Sequence, residues 1–212
     1  MVKAAYSCGK PALGVGAGNV PSYIETTANL KQAVNDIVMS KTFDNGMICA
    51  SEQAVIIDKE IYDDARELFE KYYAHYCTAK EKELLEKYMF NAKAYSKDCD
   101  NARLNPDIVG KSAKWIANMA GFDVDDKTSI LMVECKEVSP KEPLTREKLS
   151  PVLAVLKADS IQDGFDKAEA MVEFGGLGHT ACIHTSNDKL AKEYGKRLEA
   201  CRIIVNSPST LG

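Results

Sequence analysis

The sequence predicts an α/β fold with a largely parallel sheet flanked by helices. Short β-rich runs alternate with helical patterns over much of the chain, which is the mark of repeated βαβ units. Runs such as Gln53-Ala54-Val55-Ile56-Ile57 and Ile130-Leu131-Met132-Val133 read as buried strands. A chain of 212 residues with 45% hydrophobic content is long enough for one sizeable core or two small ones.

Taken in order, Leu13 to Glu25 reads as extended chain broken by Gly14, Gly16, Gly18 and Pro21. Thr27 is then a candidate N-cap for a helix to about Lys41, whose apolar positions Leu30, Ala33, Val34, Ile37 and Val38 fall at helical spacing. A strand over 53–57 follows, and Asp58 is placed to cap the next helix, with a stripe of Ile61, Ala65, Leu68 and Phe69. A helix over Ala79 to Tyr88 precedes the polar, irregular stretch Tyr95 to Leu104. Asn105-Pro106 supplies a cap and an N1 proline for a helix to about Ala120, closed by Gly121. After the strand Ile130 to Val133, the charged run Glu134 to Ser150 reads as a surface excursion, too polar for the core, that reaches toward a site. From Pro151 the alternation is clean: strand Val152 to Leu156, helix Ile161 to Phe174, strand Thr180 to His184, helix Asp188 to Ala200, strand Arg202 to Val205.

Charge and composition exclude several classes of function. Lys and Arg number 27 against 31 Asp and Glu, without long single-sign blocks, so no basic stripe for nucleic acid exists. Apolar runs fall well short of the roughly 20 residues of a membrane span. No apolar leader with a cleavage site opens the chain, which therefore reads as cytoplasmic. Seven scattered cysteines form no CxxC pair, and three histidines offer a structural zinc little to draw on, so no metal is expected.

Three places could carry chemistry. The cluster Gly14-Val15-Gly16-Ala17-Gly18-Asn19 fails as a dinucleotide fingerprint, because Asn19 stands where the third glycine belongs and Pro21 opens an extended segment instead of a helix. It reads either as tight backbone turns or as a loop lining a site. Cys49 lies between a helix and a buried strand with Gly46, Ala50 and Ser51 around it, small residues that leave a sulfur accessible and backbone N–H groups free for an oxyanion. Spacing alone would equally allow an inert buried cysteine. His179, in Gly175-Gly176-Leu177-Gly178-His179-Thr180, is either an ordinary core or surface histidine or an acid/base group projecting from a glycine-rich turn. Glu147, in Arg146-Glu147-Lys148-Leu149-Ser150-Pro151, would by composition be solvated.

The order of these motifs sharpens the reading. Tyr6 to Pro21, Phe43 to Gln53, Glu147 to Pro151 and Gly175 to Thr180 together resemble the CoA-acylating branch of the aldehyde dehydrogenase superfamily, most of all the aldehyde dehydrogenase half of bifunctional aldehyde-alcohol dehydrogenases. The resemblance covers essentially the whole chain, and the segment around Cys49 is its most specific part. It implies that Cys49 attacks an aldehyde to give a thiohemiacetal, that hydride passes to NAD, and that coenzyme A resolves the thioester. Acetaldehyde and acetyl-CoA are the default pair, with propionaldehyde and succinate semialdehyde as alternatives. Glu147 then holds the nicotinamide ribose, Gly14 and Gly16 join it in cofactor binding, and His179 serves acyl transfer. Hydrolytic relatives carry a glutamate near Gly14 that activates water, whereas no carboxylate occurs from Leu13 to Ser22, which favours a thioester product.

By the same resemblance, residues 1–212 correspond to the cysteine-bearing catalytic domain, with 1–25 entering from a cofactor domain outside this chain. The expectation is then poor NAD binding, no turnover by this chain alone, and a homo-oligomeric full-length enzyme. Two competing readings stay open: an assembly module, favoured by an exposed apolar patch, and a thiol hydrolase, which would need Cys49 and His179 within hydrogen-bond reach.

Overall fold

In the computed structural model, which describes residues 2–12, 14–15, 17–90 and 103–211, seven strands form one sheet in the order β3-β4-β5-β2-β1-β6-β7, and every neighbouring pair is parallel. The strands are β1 (Val20–Ile24), β2 (Glu52–Asp58), β3 (Ala74–Tyr76), β4 (Ile130–Glu134), β5 (Val152–Ala158), β6 (Gly178–His184) and β7 (Ala200–Val205). The helices are α1 (Val2–Ser7), α2 (Leu30–Thr42), α3 (Tyr62–Lys71), α4 (Ala79–Met89), α5 (Ala113–Ala120), α6 (Ile161–Gly175) and α7 (Asp188–Arg197). Gly16 and the stretch 91–102 lie outside the described residues.

Because side chains alternate across a strand, each central strand feeds two cores. Val55, Ile57, Ile130, Met132 and Leu153 face α2 and α3, where they meet Val34, Ile37, Ala65 and Phe69. Ala54, Ile56, Leu131, Val133 and Ala154 face the other way, onto Ile116, Phe165, Ala168 and Tyr194 of α5, α6 and α7. Burial on both sides explains the unbroken apolar runs read from the sequence.

Several local expectations are corrected. Asn29, not Thr27, caps α2, its Oδ1 accepting the Gln32 N–H at 3.2 Å, while the Thr27 hydroxyl donates to Glu25 at 2.6 Å. Asp58 stands at the N-cap of a 3-10 turn, Lys59–Ile61, but its side chain makes no capping bond: its carboxylate instead accepts the Tyr23 hydroxyl at 2.7 Å and both the N–H and the hydroxyl of Thr26. The single helix expected from Asn105 to Ala120 is two pieces. A 3-10 turn, Pro106–Ile108, stops where Gly110 takes a φ of +73°, and Ser112 caps α5 anew. Residues 198–200 leave α7 early, since Ala200 already belongs to β7. Helix α1 and edge strand β3 add to the expected elements.

The largest correction concerns 134–150. Glu134, Lys136, Glu137 and Lys141 are exposed as expected, but Leu144, Thr145, Lys148 and Ser150 are fully buried, so the second half of this connection is part of the core wall. Its polarity is matched internally. The Lys148 amine donates to the carbonyls of Gln53 at 2.9 Å, Leu144 at 2.7 Å and Arg146 at 2.8 Å.

Candidate functional site

All strands being parallel, their amino ends lie along one edge of the sheet. Gly18 and Asn19 lead into β1, Cys49 to Ser51 into β2, Glu147 to Pro151 into β5, and His179 stands near the start of β6. These four strands are consecutive in the sheet, as β5-β2-β1-β6. Every segment singled out in the sequence therefore arrives at the same place.

The turn that carries Cys49 is tightly specified. Asp44, Asn45 and Gly46 take left-handed φ values of +49°, +51° and +70° in succession, a conformation that only short polar residues and glycine adopt readily. A Cβ at Gly46 would lie 2.6 Å from the Ser150 carbonyl oxygen and 3.0 Å from that of Lys41. Asn45 Nδ2 donates to the Gly110 carbonyl at 2.9 Å. On the far side, the Ser209 hydroxyl donates to the Ala50 carbonyl at 2.5 Å and the Ser209 N–H to Glu52 at 3.1 Å. Cys49 itself is exposed, and neither its thiol nor its backbone N–H has a hydrogen-bond partner among the described residues. A rigid turn thus presents a free sulfur with an unused N–H beside it.

Gly18 is packed against this turn. A Cβ on it would stand 1.8 Å from the Cys49 carbonyl oxygen, so only a glycine allows the approach. Its N–H donates to Glu147 Oε1 at 2.9 Å. Glu147, Gly18 and Cys49 form a direct chain of contacts between three segments remote in sequence. Burial raises the pKa of Glu147, while the Gly18 N–H, Lys148 and Lys41 act against that rise. The same carboxylate lines a cavity of about 210 Å³ with Ala17, Asn19, Phe90 and Phe174. The next residue but one, Leu149, holds a φ of +45°, a strain a leucine accepts only where its surroundings impose it.

Beneath the site lies buried charge. Lys41 and Glu52 are both fully buried, and Lys41 Nζ and Glu52 Oε2 have no hydrogen-bond partner among the described residues. Burial pulls Lys41 down and pushes Glu52 up, so the interior favours the neutral form of each. Burial and the charge of Lys41 also pull Lys148 down, while its three carbonyl acceptors favour the ammonium.

His179 joins the site through the glycine-rich turns. Gly178, with a φ of +80°, packs on Val15, and a Cβ at Gly176 would lie 2.8 Å from the Asn19 nitrogen. The ring Nδ1 is 2.9 Å from the Thr180 hydroxyl, and burial followed by the Arg202 charge lowers the histidine pKa. No hydrogen bond joins His179 to Cys49, the contact that a thiol hydrolase would use. Gly14 donates its N–H to the Tyr6 hydroxyl at 2.9 Å, which secures the start of the loop.

The model of the aldehyde dehydrogenase family matches residues 1–212. The chain belongs to this family. An aldehyde-alcohol dehydrogenase of Streptococcus pneumoniae is 65% identical over 212 residues, covering 100% of this chain and 24% of the relative. The crystal structure of an acetylating aldehyde dehydrogenase from Geobacillus thermoglucosidasius superposes with a TM-score of 0.91 at 40% identity, over 100% of this chain and 45% of that one. A propionaldehyde dehydrogenase from Rhodopseudomonas palustris, solved with bound CoA and an acylated cysteine, superposes at 0.83 with 27% identity, over 98% of this chain and 45% of that one. This aldehyde dehydrogenase chain therefore spans about a quarter of the length of its aldehyde-alcohol relative and under half of the solved structures.

Sequence reasoning named Cys49, His179 and Glu147, which the fold places along the amino edge, and Gly14, whose contacts are with Tyr6, and it missed what holds the site. Gly18 was legible only as one glycine among several. Lys41, Glu52 and Lys148 are charged residues whose burial no periodicity announces. The Asp44-Asn45-Gly46 run did carry a signal, since these residue types tolerate left-handed backbone.

Proposed function

We propose that the protein contributes the nucleophilic half of a CoA-acylating aldehyde dehydrogenase, with Cys49 as the nucleophile. The observation that carries the reading is the free Cys49 sulfur on a turn locked by Gly18, which the Glu147 carboxylate holds in turn. Attack of Sγ on an aldehyde carbonyl gives a thiohemiacetal whose oxyanion can take the unused Cys49 N–H. A nicotinamide cofactor, when bound, supplies the hydride acceptor that converts this adduct to a thioester. The cavity beside Glu147, of about 210 Å³, is the proposed place for the nicotinamide riboside end. Glu147 is then the ribose-orienting group, and Gly14 and Gly16 are proposed to join it in cofactor binding, as the resemblance implies.

The second half of the reaction is acyl transfer. The segment between Leu13 and Ser22 holds no carboxylate, and Glu147 Oε1 is engaged by Gly18, so the thioester faces no dedicated water-activating base. A thiol acceptor such as coenzyme A fits that arrangement. His179, kept neutral at physiological pH by its burial, is proposed to take the proton of the incoming thiol. Acetaldehyde and acetyl-CoA are the proposed substrate pair, read from the aldehyde-alcohol relatives.

Incubation with acetyl-CoA followed by intact-mass analysis tests the assignment, since acylation of the sulfur from the thioester side requires no nicotinamide. One acetyl adduct, lost in Cys49→Ala, is expected. An adduct that survives Cys49→Ala, or none in the wild-type protein, refutes it.

A further inference from the structure

Edge strand β3 and the start of α4 bring together three donor side chains that the reaction does not use. His75 and Cys77 are two apart, one at the centre of β3 and the other just beyond its carboxyl end, while Glu81 is the third residue of α4. One donor atom from each lies within 4.8 Å of the other two, and all three residues are half-buried. We propose that His75 Nε2, Cys77 Sγ and the Glu81 carboxylate form a binding site for a thiophilic divalent cation of the zinc class, with a water in the fourth position.

The distances suit that ion. Two N or O donors, each ~2.0–2.1 Å from a tetrahedral zinc, stand about 3.3–3.4 Å apart. His75 Nε2 and Glu81 Oε2 are 3.3 Å apart in the structure. A sulfur at ~2.3 Å from the same ion would stand about 3.5–3.6 Å from each, so Cys77 Sγ closes the site by a movement of roughly 1 Å, within reach of a χ1 adjustment.

The surroundings fit as well. Glu81 Oε2 already accepts the Thr78 N–H at 2.7 Å as part of the α4 capping box, and a carboxylate with about four lone-pair sites keeps that bond while ligating a metal. The His75 ring is held against Phe122 with centroids 6.3 Å apart, which orients its Nε2 toward the helix start. Burial, and after it the Glu81 charge, disfavour an isolated thiolate at Cys77, and an incoming cation reverses the electrostatic part of that penalty. The helix amino terminus opposes a cation, yet its partial charge of about half a unit is outweighed by a thiolate and a carboxylate. A histidine, a thiolate and a carboxylate suit zinc or cobalt better than magnesium or calcium, which prefer all-oxygen ligands. The site lies at the carboxyl end of the outermost strand, away from Cys49, and binding there would staple β3 to α4.

The test is titration of the reduced, chelator-treated protein with Co2+, followed by absorbance. One equivalent should produce a near-ultraviolet thiolate-to-cobalt band with the visible bands of a four-coordinate ion, and zinc should bleach both. Cys77→Ser should abolish the near-ultraviolet band. His75→Gln, which leaves every thiol in place and does not depend on Cys77→Ser folding, should weaken binding by about ten-fold or more. Absence of the band in the wild-type protein, its persistence in folded Cys77→Ser, or unchanged affinity in His75→Gln would each overturn the site. None of these outcomes depends on the assignment of Cys49.

Discussion

Replacing Gly18 with alanine tests the central contact of the site. The added Cβ would sit 1.8 Å from the Cys49 carbonyl oxygen and 2.9 Å from its carbon, whereas real Cβ contacts essentially never fall below 3.0 Å. The two backbones must therefore separate by at least about 1.2 Å. Neither can yield easily. Gly18 is held by Glu147 at 2.9 Å, and the Cys49 turn is held by Ser209 at Ala50 and by Ser150 against Gly46. Overpacking of this kind destabilises by about 1–3 kcal/mol. A displacement of about 1 Å at a reacting group slows chemistry by roughly a hundred-fold. The expected result for Gly18→Ala is a folded protein whose Cys49 is acylated by acetyl-CoA about a hundred-fold more slowly, measured by quenched intact-mass time courses. Gly175→Ala is the control, because nothing lies within 4 Å of its Cβ and the position ends α6, so it should be neutral or stabilising by up to ~1 kcal/mol. Wild-type acylation by Gly18→Ala with an unchanged melting temperature would show that the Gly18–Cys49 contact does not position the nucleophile.

Other consequences follow from buried groups. Lys148→Met leaves three carbonyls without their donor and should remove about 3 kcal/mol or more, lowering the melting temperature by roughly 6–12 °C; a shift under 2 °C would contradict the buried-ammonium account. His184 is buried and titrates at about 4 instead of its ordinary 6.5, so the unfolded chain takes up the proton first as pH falls. Its contribution is complete above pH 6.5 and is lost toward pH 4, about 3 kcal/mol in all, and urea midpoints over that range should fall more steeply for wild type than for His184→Leu. Gly164→Ala ought to gain ~1 kcal/mol of helix propensity, yet its Cβ would lie 2.6 Å from the ring of buried Tyr23, whose hydroxyl is tied to Asp58. We expect net destabilisation by urea titration, and a raised midpoint would show that Tyr23 yields.

The alternation of strands and helices was legible because both faces of the sheet are covered. Residues 54–57, 130–133 and 152–156 are apolar throughout, and α2, α6 and α7 show one buried stripe each. Edge strand β3 left no such trace, since three residues with His75 at the centre make neither a period nor an apolar run. The run 134–150 misled for a physical reason. Composition records that Lys148 is charged but not that three carbonyls from β2 and its own loop wait to receive it. Lys41 and Glu52 were invisible in the same way, because the partners and burial of a charge are set by segments far away in sequence.

The candidate site shows where local reading ends and topology begins. Each motif could be placed just before a strand from sequence alone, and in a parallel sheet every strand start lies on the same edge. Strand order was the missing quantity. Once β5, β2, β1 and β6 are neighbours, the loops before them must meet, and glycines at positions 18, 46 and 176 are the residues that let their backbones approach within contact distance. The amino edge is an unusual place for chemistry in an open α/β sheet, where ligands more often gather at the carboxyl ends. The carboxyl ends of the central strands carry contacts of their own, Asp58 with Tyr23 and Thr26 and Glu25 with Thr27 and Thr185, beside an open pocket lined by Thr27 and Ser186 to Lys189. At the amino ends lie the cavity beside Glu147 and the exposed sulfur of Cys49. What favours the amino edge for the proposed chemistry is the Cys49 sulfur, exposed on a turn packed against Gly18, whose N–H Glu147 accepts.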